Sequence, residues 1–181
     1  MVSAARAFSK ANHDLLDDPR VDVQVVDARA WLASQPRRYP VIISEPSNPW
    51  LTGVSNLFTR EYWLLTRARL DDHGVFCQWV QLYALPPEAF RGLVRTFLSV
   101  YPNAWLFESI PGADALLIAA PSLPDDLSMQ PTLGPEGLMR LASMGPLVTD
   151  NHPWVEFSAP FWLHRATGTT NQQLIEAAKN P

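Results

Sequence analysis

The stretch Tyr39–Phe58, YPVIISEPSNPWLTGVSNLF, joins a short apolar run to a carboxylate and then to an irregular loop. Val41, Ile42 and Ile43 show no polar alternation, which predicts a strand buried on both faces, as in a parallel sheet. Glu45 stands where that strand stops. In open α/β sheets, ligands bind just outside the carboxyl ends of the strands. The stretch therefore sets a carboxylate and a Gly-containing loop where such folds do their chemistry.

Working outward, residues 3–16 carry an apolar stripe of Ala4, Ala7, Phe8, Ala11 and Leu15 that predicts a helix, ended by Asp17-Asp18-Pro19. Val21–Val26 predicts a strand with Asp27 at its carboxyl end. Residues 28–34 predict a short helix. Beyond the loop, Thr59 is a candidate N-cap for a helix running to about Leu70. Asp71–Gly74 predicts a turn, and Val75–Val80 a second buried strand. Pro86-Pro87-Glu88 opens a helix, with Phe90, Leu93, Val94, Phe97 and Leu98 at helical spacing. Strands are expected at 105–108 and 116–120. No helix separates them, so they are expected to pair antiparallel. Residues 137–144 predict a short helix, 148–160 read as irregular, and 171–179 as a weakly held terminal helix. Strands alternating with helices indicate an α/β doubly wound sheet, mostly parallel, closed by the antiparallel pair.

The chain has 181 residues, a 47% hydrophobic and 18% charged composition, and 17 prolines, which fit one ordinary globular domain with punctuated loops. A net charge of -4 argues against nucleic acid as a main partner. Cys77 is the one cysteine, so an internal disulfide is excluded. His13, His73, His152 and His164 lack ligand spacing, and no metal site is expected. No apolar run reaches the ~20 residues that span a bilayer, and the first residues lack the apolar core of a secretory signal. The cytoplasm is the default compartment.

Each candidate residue has two readings. Asp27 with Ala28 fits either a helix cap or a grip on an adenine ring and its amino group. Glu45 fits a general base for an amine, or a salt bridge to Arg37, Arg38 or Arg60. The loop from Asn48 to Asn56 fits a cover over a site, hinged at Gly53 and walled by Trp50, or a loop tied down by its own Trp. Gln78 fits a polar pocket, or a partner for neighbouring backbone. Thr149–Pro153 has turn chemistry, for which a structural role is expected.

The segments VQVVDARAWL, YPVIISEPSNPW, SNLFTREYW and L-x-x-x-G-V-F-C-Q-W together resemble the carboxyl part of the catalytic domain of spermidine synthases, the polyamine aminopropyltransferases. The similarity is to the bacterial branch often fused to a transporter-like membrane domain. LVTDNHPWVEFSAP resembles the Thr-Asp-Asp-x-Pro-x-x-Glu tail of that branch. The resemblance implies a Rossmann-like methyltransferase-type fold. It also implies transfer of an aminopropyl group from decarboxylated S-adenosylmethionine to an amine such as putrescine, without a metal. Asp27 and Ala28 would then contact the adenine. Glu45 falls on the family's catalytic aspartate, Asn48 on an aspartate that binds the far ammonium, and Gln78 near a family glutamine with a one-residue slip.

Three departures accompany the match. Glu45 is one methylene longer than the family's aspartate, and Asn48 lacks a charge. The family's glycine-rich loop has no counterpart here. Residues 1–125 are therefore expected to form an incomplete catalytic domain, with 126–181 as a carboxyl-terminal extension packed on it. An uncovered sheet edge would invite a homo-oligomer or a complementing chain. The alternatives are an S-adenosylmethionine-dependent methyltransferase, echoed faintly by Asn48-Pro49-Trp50, and a non-catalytic remnant or assembly module.

Overall fold

The computed structural model describes residues 2–162 and 165–180, so His164 lies outside the described residues. It separates into two compact units, Met1–Ser34 and Gln35–Pro181.

The expected 3–16 helix is broken in the first unit. Helix α1 (Val2–Ala5) passes through a 3-10 turn (Arg6–Phe8) into α2 (Ser9–Asn12), and a second 3-10 turn follows at Leu15–Asp17. His13 and Asp14 both take a left-handed conformation with φ of 54°, which ends an α-helix. Phe8 and Leu15 of the apolar stripe are exposed, so little packing offsets the cost of ordering a continuous helix. The expected strand at 21–26 is also absent. These residues belong to no sheet, and Val23, Val25 and Val26 are exposed. β-propensity alone cannot satisfy a strand's backbone groups without a neighbouring ladder. Helix α3 (Ala28–Ser34) forms as expected and buries Leu32.

The second unit is built on four strands, β1 (Tyr39–Ser44), β2 (Leu70–Gln81), β3 (Ala104–Ile110) and β4 (Asp114–Ala119), in the order β1-β2-β4-β3. β1 and β2 are parallel, with Val41 opposite Val75 and Ser44 opposite Gln78. The β2–β4 and β4–β3 ladders are antiparallel, as expected for the closing pair. Helices α4 (Arg60–Arg69), α5 (Pro87–Leu98), α6 (Pro135–Leu141), α7 (Trp154–Ser158) and α8 (Thr167–Lys179) complete the unit.

One face of the sheet carries the core. Ser44, Phe76, Gln78, Val80, Leu106 and Leu117 are buried there, together with Phe90, Leu93, Val94 and Phe97 of α5. Phe97 packs edge-on to Trp63 at 5.1 Å and stacks with Phe76 at 5.9 Å. The opposite face is thinner. Val41 is 52% and Ile43 71% exposed, so β1 is not buried on both faces as expected. It is one of the sheet's two edge strands, and side chains on a sheet face stay open unless a further layer covers them.

Two further expectations change. Asp71–Gly74 belongs to β2, in a register shift that advances β2 by five residues (Leu70 to Val75) while β1 advances by two (Tyr39 to Val41). Turn-forming residues here make a bulge rather than a turn. The terminal helix α8 begins at Thr167 and is firmly held. Asn171 and Ile175 are fully buried, and the Asn171 Nδ2 donates to the carbonyls of Leu82 and Leu85 at 2.7 and 2.8 Å.

Candidate functional site

The carboxyl end of β1 places Glu45 in solvent, one residue after the buried Ser44. The Tyr62 hydroxyl donates to Ser44 Oγ at 3.2 Å, which fixes the strand end from below. The salt bridge considered for Glu45 does not form. Arg38 pairs with Asp72 at 2.9 Å, and Arg37 donates to the Tyr39 hydroxyl and lies over its ring. Among the described residues, Glu45 takes part in no ion pair. Its charge still reaches inward. The half-buried Cys77, opposite Ile43 in the ladder, has its thiol pKa pushed up by burial and then by the Glu45 carboxylate. A solvent-facing carboxylate without a cation of its own can hold an ammonium group or take its proton.

Asn48, partly buried, opens a series of tight turns. Its carbonyl accepts from the Leu51 amide at 3.1 Å, and the Leu51 carbonyl accepts from Val54 and Ser55 at 2.9 and 3.2 Å. A 3-10 turn over Ser55–Leu57 follows, with Phe58 buried beneath it. Gly53 has φ of +85°, which an L side chain adopts only under strain, and the space around it is open. Trp50 packs against the core, so the loop is anchored as well as hinged.

The far side of the loop is held by the carboxyl-terminal segment. Thr59 caps α4 as expected, accepting from the Tyr62 amide, and its hydroxyl donates to Asp150 Oδ1 at 2.7 Å. The Asp150 amide donates to Glu61 Oε2 at 2.9 Å, and the Arg60 amide donates to the Val148 carbonyl at 2.9 Å. Thr52 and Ser55 both donate to Glu156, at 3.1 and 2.5 Å. Glu156 was not among the candidates. No spacing rule connects a carboxylate to hydroxyls about a hundred residues away, and only its place in the tail motif drew it out.

Gln78 is fully buried. Its Oε1 accepts from Trp63 Nε1 at 3.1 Å, and its Nε2 donates to the Trp79 carbonyl at 3.0 Å. It lies opposite Ser44 on the core face, with its amide engaged inside the fold. Asp27 belongs to the first unit. Its Oδ1 accepts from the Ala30 amide at 2.7 Å, so it caps α3. Ala28 is the first residue of that helix. Among the described residues, no group of three metal-ligating side chains exists, and no helix is long and apolar enough to cross a membrane.

The profile of the spermine/spermidine synthase domain matches residues 1–108. The chain belongs to this family. A polyamine aminopropyltransferase of Bacillus subtilis (strain 168) is 32% identical over 107 residues, covering 59% of this chain and 38% of that protein. A spermidine synthase of Dictyostelium discoideum is 27% identical over 112 residues, covering 61% and 39%. The chain thus matches under two-fifths of the length of these relatives. Among solved structures, a spermidine synthase in complex with the transition state analogue AdoDATO superposes with a TM-score of 0.56. It is 19% identical, over 93% of this chain and 58% of that one. The Thermotoga maritima spermidine synthase gives 0.51 at 19% identity, over 93% and 57%. At these identities the superpositions speak to the fold, a Rossmann-like α/β arrangement with the mixed sheet described above. The spermidine synthase family match ends within β3, so α6, α7 and α8 lie beyond it.

Proposed function

We propose that this chain supplies the amine-handling side of an aminopropyltransferase, which moves an aminopropyl group from decarboxylated S-adenosylmethionine to an amine. The observation that carries the reading is the exposed Glu45 carboxylate at the carboxyl end of β1, without an ion pair among the described residues and followed by an ordered loop. In this reading Glu45 accepts the proton of the attacking amine. The freed nitrogen lone pair forms a bond to the propyl carbon beside the sulfonium. The carbon–sulfur bond breaks, and its electrons leave with methylthioadenosine. The sulfonium is itself the leaving group, so the protein's share is alignment and proton removal.

Asn48 is proposed as a neutral partner for the far end of the amine. Its amide accepts a hydrogen bond from an ammonium but lacks the charge that makes such a bond strong, so a diamine is held less tightly than an aspartate would hold it. Asp27 and Ala28 are proposed to contact the adenine. Asp27 Oδ1 already accepts one backbone amide, and the carboxylate keeps further acceptor capacity. Gln78 acts at one remove, by fixing Trp63 against the strand. Residues 1–125 are taken as the catalytic part and 126–181 as an extension.

Titration calorimetry with methylthioadenosine tests the nucleoside half, and absence of binding sinks it. Product mass after incubation with decarboxylated S-adenosylmethionine and putrescine tests the chemistry. A gain of one aminopropyl group supports the proposal. A gain of one methyl group, seen with S-adenosylmethionine instead, supports a methyltransferase.

A further inference from the structure

We infer that Glu156 is a positioning residue for the proposed amine site, holding the loop turn Thr52–Ser55 and, through it, Asn48. The functional half of this inference rests on the amine-site reading of Glu45 and Asn48. The mechanical half rests on hydrogen bonds alone.

Glu156 sits in α7, a helix of five residues, far along the chain from the loop. Its two carboxylate oxygens serve two different hydroxyls, Oε1 for Thr52 at 3.1 Å and Oε2 for Ser55 at 2.5 Å. Those hydroxyls flank Gly53, whose left-handed φ of +85° is supported by no neighbouring atom within 4 Å of where a Cβ would stand. Val54 and Trp50 pack on the core to either side, but nothing packs at Gly53 itself, and glycine leaves the unfolded alternatives numerous. One anionic group bridging both sides of the hinge removes that freedom, and bonds from a hydroxyl to a carboxylate are among the stronger ones. The same turn carries the bond from the Leu51 amide to the Asn48 carbonyl at 3.1 Å. Fixing Thr52 and Ser55 therefore fixes the backbone that presents Asn48 beyond Glu45.

The arrangement also gives the tail a mechanical sense. Asp150 and Glu156, six residues apart, grip the chain at two points, Asp150 at Thr59, where the loop meets α4, and Glu156 at Thr52 and Ser55 within the loop. Asp150 stabilises the cap of a ten-residue helix, which is a structural task. Glu156 holds the exposed Thr52–Gly53 side of a turn whose Val54 already packs on the core, so its role is placement of that side of the loop.

Hydrogen exchange on the full chain, read amide by amide, tests this. In Glu156→Ala, which removes two charge-assisted hydrogen bonds, the amides of Leu51, Val54 and Ser55 are expected to exchange at least about tenfold faster, the factor that losing one such bond would set. Amides of α5 should be unchanged. Ser55→Ala should give a smaller local effect, and the double variant should match Glu156→Ala, because the bond Ser55 makes is one of the two already lost there. Uniform acceleration that includes α5, or unchanged loop amides, overturns the clamp. Calorimetry with putrescine as the probe should show Glu156→Ala weakened about threefold or more against the parent. Accelerated loop exchange with an unchanged putrescine affinity overturns the positioning role. A parent chain that binds no putrescine refutes the amine-site reading, and the exchange data still decide the clamp.

Discussion

Replacing Gln78 by Met separates a structural glutamine from a substrate contact. The side chain is fully buried, and methionine matches its length without its polar atoms. Trp63 Nε1, also fully buried, would lose its acceptor at 3.1 Å, and no water reaches it to compensate. A buried donor left unpaired costs about 1–3 kcal/mol. The bond from Nε2 to the Trp79 carbonyl adds less, because Trp79 lies in the β2–β4 ladder, opposite Leu116. Methionine's apolar surface returns part of the loss. The net expectation is ~2–3 kcal/mol of lost stability, which in a chain of this size lowers Tm by about 5–10 °C. Thermal unfolding followed by near-ultraviolet circular dichroism measures it, and calorimetry with putrescine runs alongside. A variant with the parent's Tm but much weaker putrescine binding would refute the reasoning, because it would mean the amide faces the ligand and not Trp63.

Three other outcomes follow from the same geometry. Gly53→Ala meets no steric neighbour but must hold φ of +85°, so it should cost about 1–2 kcal/mol in denaturant unfolding, or free the loop with the same strain relieved as faster exchange. Asn171→Ala removes donors to the Leu82 and Leu85 carbonyls in a fully buried position. Urea unfolding should show a loss of ~2–4 kcal/mol. The Cys77 and Tyr101 pKa values are both raised, chiefly by burial, so both groups stay protonated in the fold at pH values where the unfolded chain releases its protons. Their contribution is whole below the unfolded values of about 8.5 and 10, and is lost as pH rises through the folded ones. Unfolding free energy should therefore fall above pH ~9, and Tyr101→Phe should flatten the upper part of that fall.

What the sequence made legible was local. Thr59 as a cap, the apolar stripe of α5 and the antiparallel pair β3–β4 depend on neighbours in sequence or on one short connection, and they stand as expected. What it obscured depends on long-range context. Val21–Val26 (VDVQVV) and Val41–Ile43 (VII) are both rich in β-branched residues, yet only the second lies in a sheet. The difference is a partner, since β2 offers β1 a parallel ladder and no described strand does this for Val21–Val26. Burial on both faces was inferred from unbroken apolarity, but apolarity states what a side chain prefers and not which layer exists to cover it. Ile43 shows the gap most plainly, apolar and 71% exposed.

The site divides along the same line. A carboxylate at the end of a predicted strand is readable because the strand and its end are encoded side by side. The state of that carboxylate is not, because it depended on where Arg37 and Arg38 went, and they turned to Tyr39 and Asp72. Gln78 allows two readings, a polar pocket or a partner for neighbouring backbone, and the bonds it makes are of the second kind: it sits on the core-facing parity of β2, with Phe76 and Val80, donates to the Trp79 carbonyl and accepts from Trp63. Strand parity, fixed once Phe76 is assigned to the core, directs Gln78 inward and turns Cys77 to the face where the charge of Glu45 is felt. Parity is thus the sequence-level signal that places Gln78 in the support beneath the strand end.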